Sequence, residues 1–421
     1  DKKMQATNLF SRTVPCKKEL ITEDTSAYLG TETYSIMKNS LLRISPNGTL
    51  AISGKTINSV LFLDNEMVEL LQQPTFTLNG MPRSVVQNLL SHELIEQTDR
   101  PNSFKKVHCL NNALPYYGRI EITDACQCDC DICYKAEIPT PPPSLDILKK
   151  RIKHLRKLGI TRLEILDGEP LLRKDLPKLC DFVTKENFLY TIVTNGEYLS
   201  SLDKRAINSL KSASDVIISI DSYGELHDKS RKRPGLFAKD IEGIQVLKEN
   251  GINCSLLCTV NQDNEPGIDQ LVEYLKPFEV NLFIRPTIIA GAAANNELQN
   301  VDMRRIYEKH KNNPHVFHNT VHLADKIPES KYYGCDIRQL INIDVNGRLL
   351  ICHMDRKHKK GPIEKYTPEM LLQELDFTLR SRLKKQETCK DCDVNNSSEG
   401  IKCGGFCQFS NTFIKNKIKE C

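Results

Sequence analysis

Three cysteines set the chemistry of this chain. Cys126, Cys130 and Cys133 lie in the stretch T-D-A-C-Q-C-D-C-D-I-C-Y, residues 123–134, at the spacing C-x3-C-x2-C. Thiolates this close together are soft ligands and can wrap one corner of a [4Fe–4S] cube. A cube needs four ligands, so one iron would be left for a group that is not protein. Zinc is the competing metal, because clustered cysteines also build zinc knuckles. Cys128 adds to that ambiguity, since it permits a C-x-C pairing.

The chain holds 16 cysteines in 421 residues, and seven of them follow residue 334. They run Cys335, Cys352, then Cys389-x2-Cys392-x10-Cys403-x3-Cys407, and finally Cys421. This bunching at ligand-like spacings speaks for metal binding in a reducing compartment rather than for disulfides. Cys180, Cys254 and Cys258 read as small buried hydrophobes. Cys16 and Cys109 receive no role. A hydrophobic content of 39% and a charged content of 27% are those of a soluble globular protein. A net charge of +4 is too mild to argue for nucleic acid. No apolar run nears the ~18 residues of a membrane span. The polar start, Asp1 to Gln5, opens no secretory signal.

The elements that must position these cysteines alternate strand and helix over 115–290. Strands are expected at 118–122, 162–166, 190–193, 215–220, 254–260 and 281–284. Between the first two, Leu145, Leu148, Ile152, Leu155 and Leu158 make the apolar stripe of a helix, with Lys149, Lys150, Lys153, Arg156 and Lys157 outside it. Such alternation argues for a parallel sheet, with chemistry gathered at the C-terminal strand ends. The polar signals fall there: Asp167-Gly168-Glu169-Pro170, Thr194-Asn195-Gly196, Ser219-Ile220-Asp221, Asn261 and Arg285. His227, Arg231 and Arg233 are expected in a loop. Residues 291–334 read as an irregular bridge. Asn346-Gly347 marks a hairpin between two apolar runs, and the basic run 356–360 reads as solvated surface. Before all this, strands at 41–45, 49–53 and 57–63 precede a helix capped by Asp64 and another starting near Pro82.

The cysteine spacing with Thr123 and Tyr134, the Gly-Glu-Pro core and the S-x-D at 219–221 resemble the radical S-adenosylmethionine enzymes. The resemblance implies an α/β partial (β/α)6 TIM-type barrel. It also implies a cluster on Cys126, Cys130 and Cys133, whose open iron takes the amino and carboxylate groups of S-adenosylmethionine. Electron transfer then yields a 5′-deoxyadenosyl radical. By the same resemblance Ile132, Tyr134, Gly168, Glu169, Pro170, Thr194, Asn195, Ser219, Asp221, Arg231, Asn261 and Arg285 are the cofactor-binding candidates. Glu169 would hold the amino group. Asp167 departs from the family's first Gly.

The C-terminal cysteines resemble the SPASM extension with two auxiliary [4Fe–4S] clusters, giving three clusters in all. Cys335, Cys352 and Cys407 would hold the first, which lacks an upstream fourth cysteine and is expected to keep an open iron or take a non-Cys ligand. Cys389, Cys392, Cys403 and Cys421 would hold the second. The N-terminal part resembles the winged-helix leader-recognition module of peptide-modifying radical enzymes. The expected divisions are therefore 1–108, 109–325 and 326–421. The expected function is a cytoplasmic maturase that installs an oxidative thioether or C–C crosslink in a ribosomal precursor peptide held by its leader. A flavodoxin or ferredoxin would feed it electrons, with neither nucleic acid nor membrane as partner. The alternatives are a maturase of the anaerobic sulfatase-maturating type, a small-molecule radical enzyme, and a non-catalytic metal or electron-transfer protein.

Overall fold

The structure is a computed structural model, and it describes residues 26–38, 40–45, 48–52, 60–91, 93–98, 100–108, 115–135, 139–288, 290–299, 301, 303–318 and 340–384. The N-terminal part contains β1 (Thr33–Ile36), β2 (Leu41–Ser45), β3 (Gly48–Ile52), β4 (Val60–Leu63), α1 (Asn65–Leu71), β5 (Phe76–Thr77), α2 (Arg83–Ser91), β6 (Ile95–Gln97) and β7 (Lys105–His108). They form two sheets, in the orders β4-β3-β2-β7 and β5-β1-β6. The expected hairpin is there, with Ser45 opposite Gly48. Asp64 caps α1 by accepting from the Met67 N–H at 2.8 Å, a contact worth about 1 kcal/mol. The sequence signalled three strands; β1, β5, β6 and β7 are two to four residues long, too short for a period-two pattern to stand out.

The remaining described elements are β8 (Tyr117–Glu121), α3 (Leu145–Lys157), β9 (Arg162–Leu166), α4 (Leu176–Lys185), β10 (Leu189–Thr194), α5 (Lys204–Leu210), β11 (Asp215–Ser219), α6 (Glu225–Arg231), α7 (Leu236–Glu249), β12 (Cys254–Val260), α8 (Ile268–Leu275), β13 (Asn281–Pro286), α9 (Ala292–Asn295), α10 (Met303–His310), β14 (Val316–His318), β15 (Leu340–Ile343), β16 (Leu349–Leu350) and α11 (Pro368–Lys384). One mostly parallel sheet runs β14-β13-β12-β11-β10-β9-β8-β15-β16. The six expected strands are its middle, and the sheet is wider than the sequence implied. Residues 291–318 are not an irregular bridge, for they supply two helices and a seventh parallel strand, β14. The hairpin at Gly347 pairs β15 with β16, and β15 also lies parallel to β8. A local pattern cannot signal that long-range pairing.

Alternate residues of each strand face opposite ways, and the two faces differ sharply in composition. Toward the helices point Ile120, Leu163, Ile165, Ile192, Ile218, Leu256 and Ile284, which share one core with Leu148, Ile152 and Leu155 of α3. The lumen face carries Arg119, Glu164, Ser219, Thr259 and Arg285 in the alternate positions. The N-terminal ends of the strands are closed by an apolar plug in which Leu41 and Ile52 pack with Tyr117, Leu189 and Leu340. Beside it the fully buried Arg43 donates to the carbonyls of Gly159 (3.1 Å) and Pro115 (3.3 Å). The lumen therefore opens at the C-terminal strand ends.

Candidate functional site

The cysteine loop leaves β8 and folds over the C-terminal strand ends. All four of its cysteines, Cys126, Cys128, Cys130 and Cys133, are free thiols. The Cys133 N–H donates to the Cys130 carbonyl at 3.2 Å, closing a tight turn. Cys128 lies between two of the candidate ligands. Its hydrogen bond is the foremost reason the Cys126 thiol is drawn down to about 6, and it lowers Cys130 as well, aided there by the Arg231 charge. Burial pushes Cys133 up to about 11. Asn195 aims its Nδ2 at Cys128 (3.5 Å) and Cys126 (3.8 Å), and Arg231 aims Nη1 at Cys130 (3.9 Å). Soft donors ringed by N–H groups are what a cubane cluster requires. The donor set fits that group.

The turn after β9 presses against this loop. At Gly168, φ is +52°, and a Cβ would stand 2.4 Å from the Ala125 carbonyl oxygen and 2.8 Å from that of Thr123. Only glycine fits there. The Glu169 N–H donates to the same Ala125 carbonyl at 2.8 Å. Asp167 also has a positive φ, +85°, which explains why glycine would be at home in its place. Here the carboxylate has a use of its own, accepting from the Tyr134 hydroxyl at 2.6 Å and from Lys135. Glu169 is fully buried. It accepts from the Asn195 N–H (2.7 Å), the Thr194 hydroxyl (2.7 Å) and the Leu171 N–H (2.9 Å). Burial nonetheless pushes its carboxyl up to about 7. None of these partners is a cation, so an ammonium group would suit it. Pro170 opens the short 3-10 turn Pro170–Leu172 that follows.

The next strand ends supply Thr194 and Asn195, Ser219 and Asp221, Asn261, and Arg285. His227 and Arg231 correct the sequence reading: they stand on a helix, α6, rather than in a loop. Asp221 is buried and accepts from the Arg231 guanidinium and, at 3.1 Å, from the Thr259 N–H. His227 accepts from the Asp221 N–H on Nδ1 (2.9 Å) and turns Nε2 toward the buried Asp240 (3.0 Å). Burial lowers its pKa to about 4. Arg233 is paired as well, donating to both oxygens of Glu197 at 2.7 and 2.9 Å. Asn261 holds a turn, accepting from the Asp263 N–H at 2.8 Å. Arg285 donates from Nε to the Thr259 hydroxyl at 3.2 Å. It has no ion-pair partner among the described residues. Ser219 is buried at its strand end, and Ile132 and Tyr134 are half-buried beside the cysteines.

Sequence reasoning missed the scaffold under the loop. Glu121, Asp124 and Asp167 could together hold a metal ion, yet the Lys135 ammonium pairs with all three. Arg356 is a correction: it is not solvated surface, but has an 8% exposed side chain that pairs with Glu121. Gly291 has φ +58°, and a Cβ there would meet the Tyr134 backbone at 2.2 Å. The Ala292 N–H next to it donates to the Cys133 carbonyl at 2.8 Å. The signal available was a lone glycine before an alanine run. Cys352 is half-buried, and the ring of its neighbour His353 meets Tyr134 edge-on at 5.3 Å. Cys180 and Cys258 are buried as expected, while Cys254 is only partly so. Cys16, Cys109, Cys335, Cys389, Cys392, Cys403, Cys407 and Cys421 lie outside the described residues. Among those described, no helix is long and apolar enough to cross a membrane.

Comparisons with known proteins agree with this geometry. The profile of the Radical SAM superfamily matches residues 120–275. The antilisterial bacteriocin subtilosin biosynthesis protein AlbA of Bacillus subtilis is 26% identical over 173 residues, 40% of this chain and 39% of AlbA. GTP 3′,8-cyclase of Lactiplantibacillus plantarum is 26% identical over 241 residues, 54% of this chain and 71% of the cyclase. The chain thus spans well under half of AlbA's length and about seven-tenths of the cyclase's. Among solved structures, Streptococcus suis SuiB bound to S-adenosylmethionine superposes with a TM-score of 0.65 at 17% identity, over 92% of this chain and 97% of SuiB. SuiB bound to its precursor peptide SuiA gives 0.64 at 16% identity over the same shares. Residues 120–275, which carry the cysteine loop and the Gly-Glu-Pro turn, are thus similar to the Radical SAM domain.

Proposed function

We propose that the chain is a peptide maturase that installs an oxidative crosslink, a thioether or a C–C bond, in a ribosomally made precursor. Cys126, Cys130 and Cys133 would hold the [4Fe–4S] cluster, and Glu169 would hold the amino group of S-adenosylmethionine. When bound, these groups supply reductive C–S cleavage and hydrogen abstraction. The chain's own residues do the rest: Asn195 and Arg231 donate toward the sulfurs, and Gly168 and Gly291 let two strand-end turns clasp the loop from either side.

The observation that carries the peptide reading is the extent of the likeness to SuiB. Covering 92% of the chain leaves too little over for residues 26–108 to be outside it. In this reading residues 1–108 are the leader-binding module. The leader adds a strand at β4, an outer strand of its sheet. The C-terminal cysteines would hold two auxiliary clusters able to accept the electron that the substrate radical gives up as the crosslink forms, and a flavodoxin or ferredoxin would supply the electron for C–S cleavage. A small-molecule radical enzyme is the second reading, favoured by the match over 71% of GTP 3′,8-cyclase.

The test uses the full chain reconstituted anaerobically with iron and sulfide, S-adenosylmethionine, dithionite and a cysteine-containing peptide encoded beside its gene. Mass spectrometry is expected to show 5′-deoxyadenosine and a peptide lighter by two hydrogens, both lost in Cys126→Ala. Zinc in place of iron, or no 5′-deoxyadenosine from iron-loaded protein, overturns the radical reading. 5′-Deoxyadenosine without leader binding by residues 1–108 transfers the case to the small-molecule reading.

A further inference from the structure

The charges of the lumen do not cancel. Arg119 is matched by Glu164 at 2.9 Å, and Arg231 by Asp221. Arg285 shares their field, and the two acids that act on it, Glu164 and Asp221, are the ones already matched. Its single hydrogen bond uses Nε and a neutral hydroxyl. The two terminal nitrogens of the fork have no partner among the described residues. Burial and the like charge of Arg119 hold its pKa below the usual arginine value, so the guanidinium stands where its charge is poorly supported.

Its surroundings are specific. Phe283 precedes Arg285 by two residues on β13 and therefore shares its lumen face. Phe283 stacks on Phe317 of β14, with ring centroids 5.1 Å apart and planes 29° apart. Leu282, Ile284 and Val316, the alternate residues, are the ones in the helix-facing core. An apolar shelf thus lies next to an unmatched fork, and a planar guanidinium fork binds a carboxylate with two parallel bonds.

We propose that the β12–β14 wall of the lumen is a carboxylate-binding subsite, in which Arg285 grips the carboxylate and Phe283 and Phe317 pack against the apolar body that bears it. The proposal rests on the radical reading above, which places ligands in this lumen. Two ligands could bring the carboxylate: the methionine end of S-adenosylmethionine, or an acidic side chain or chain terminus of the substrate.

The test measures equilibrium binding to the anaerobically reconstituted full chain, as wild type, Arg285→Gln and Arg285→Lys. The probes are S-adenosylmethionine, its decarboxylated analogue, 3-phenylpropionate and 3-phenylpropionamide. If the cofactor is the source, Arg285→Gln weakens S-adenosylmethionine at least about tenfold. The decarboxylated analogue then binds both proteins alike, and Arg285→Lys recovers part of the loss. If the substrate is the source, S-adenosylmethionine binds all three proteins alike. 3-Phenylpropionate then binds wild type and is lost from Arg285→Gln and weakened in Phe283→Leu, with the amide silent throughout. Equal binding of every probe to wild type and Arg285→Gln overturns the subsite. Iron content and circular dichroism matched to wild type separate these outcomes from misfolding. 5′-Deoxyadenosine is scored in the same wild-type samples, so failure of the radical reading shows there and not in the carboxylate titrations.

Discussion

The two walls of the lumen treat charge in opposite ways. On the β8–β11 side the cations described above are matched: Arg119 by Glu164, Arg356 by Glu121, Arg231 by Asp221, and Lys135 by three carboxylates. On the β12–β14 side Arg285 has no carboxylate partner among the described residues; the buried His318 on β14, whose ring nitrogens lack a hydrogen-bond partner there, lies on the opposite, helix-facing side against Tyr307. A matched wall holds itself rigid, which suits the side that carries the cysteine loop. An unmatched wall gains its partners from a ligand. If that contrast is real, substitutions on the first side should cost stability and those on the second should cost binding.

The largest effect is expected at Lys135. Lys135→Met would leave the carboxylates of Glu121, Asp124 and Asp167 facing one another, with Arg356 alone to offset them. Breaking a buried ion cluster from one side costs about 3–5 kcal/mol. Urea unfolding at pH 7.5 is the measurement. The deficit should shrink at pH 5.5, because protonation relieves repelling carboxylates. A deficit below about 1 kcal/mol at pH 7.5 would remove the claim that the first wall stiffens the loop.

His318 is next, and its sign is the reverse. It is 5% exposed, and burial, helped by nearby His310, lowers its pKa from 6.5 to about 4. A histidine whose folded pKa is depressed stabilises the fold in its neutral form. That contribution is present above pH 6.5 and is lost as pH falls toward 4. At 1.36 kcal/mol per unit the window spans up to about 3 kcal/mol. His318→Phe should therefore flatten the acid limb of the stability profile between pH 6.5 and 4. An unchanged slope there would mean that the ring finds a partner in solution.

The parts of this site that sequence made legible are those written in contiguous residues. The cysteine spacing, the Gly-Glu-Pro turn and the bounds of β9 and β12 all follow from local pattern. What escaped was tertiary. Arg356 meets Glu121 across 235 positions, and Arg43 meets Gly159 across 116; neither carries a sign of its partner. α6 escaped for a different reason. Its sequence, E-L-H-D-K-S-R, buries His227 and Ser230 rather than apolar residues. A helix whose inner face is polar has no hydrophobic period to read. β14 escaped through brevity, three residues in an otherwise polar run.

The smallest expected effect is the one that divides the two walls most cleanly. Arg285→Gln removes a half-buried charge that has no ion-pair partner among the described residues and feels only the already matched Glu164 and Asp221, so little pairing is lost and the relieved desolvation penalty is a gain. Its net effect on unfolding should stay within about 0.5 kcal/mol of wild type, or be slightly stabilising. Arg231→Gln is the control from the other wall. It strips the partner from the fully buried Asp221 and should destabilise by several times that amount. Thermal melts of the two variants, side by side and without added ligand, make the comparison. Equal losses would mean that Arg285 is a structural ion after all, and that both walls are built on one plan. A loss confined to Arg231→Gln would leave the Arg285 guanidinium as a charge the fold carries at no benefit to itself, which is the condition a ligand-binding group has to meet.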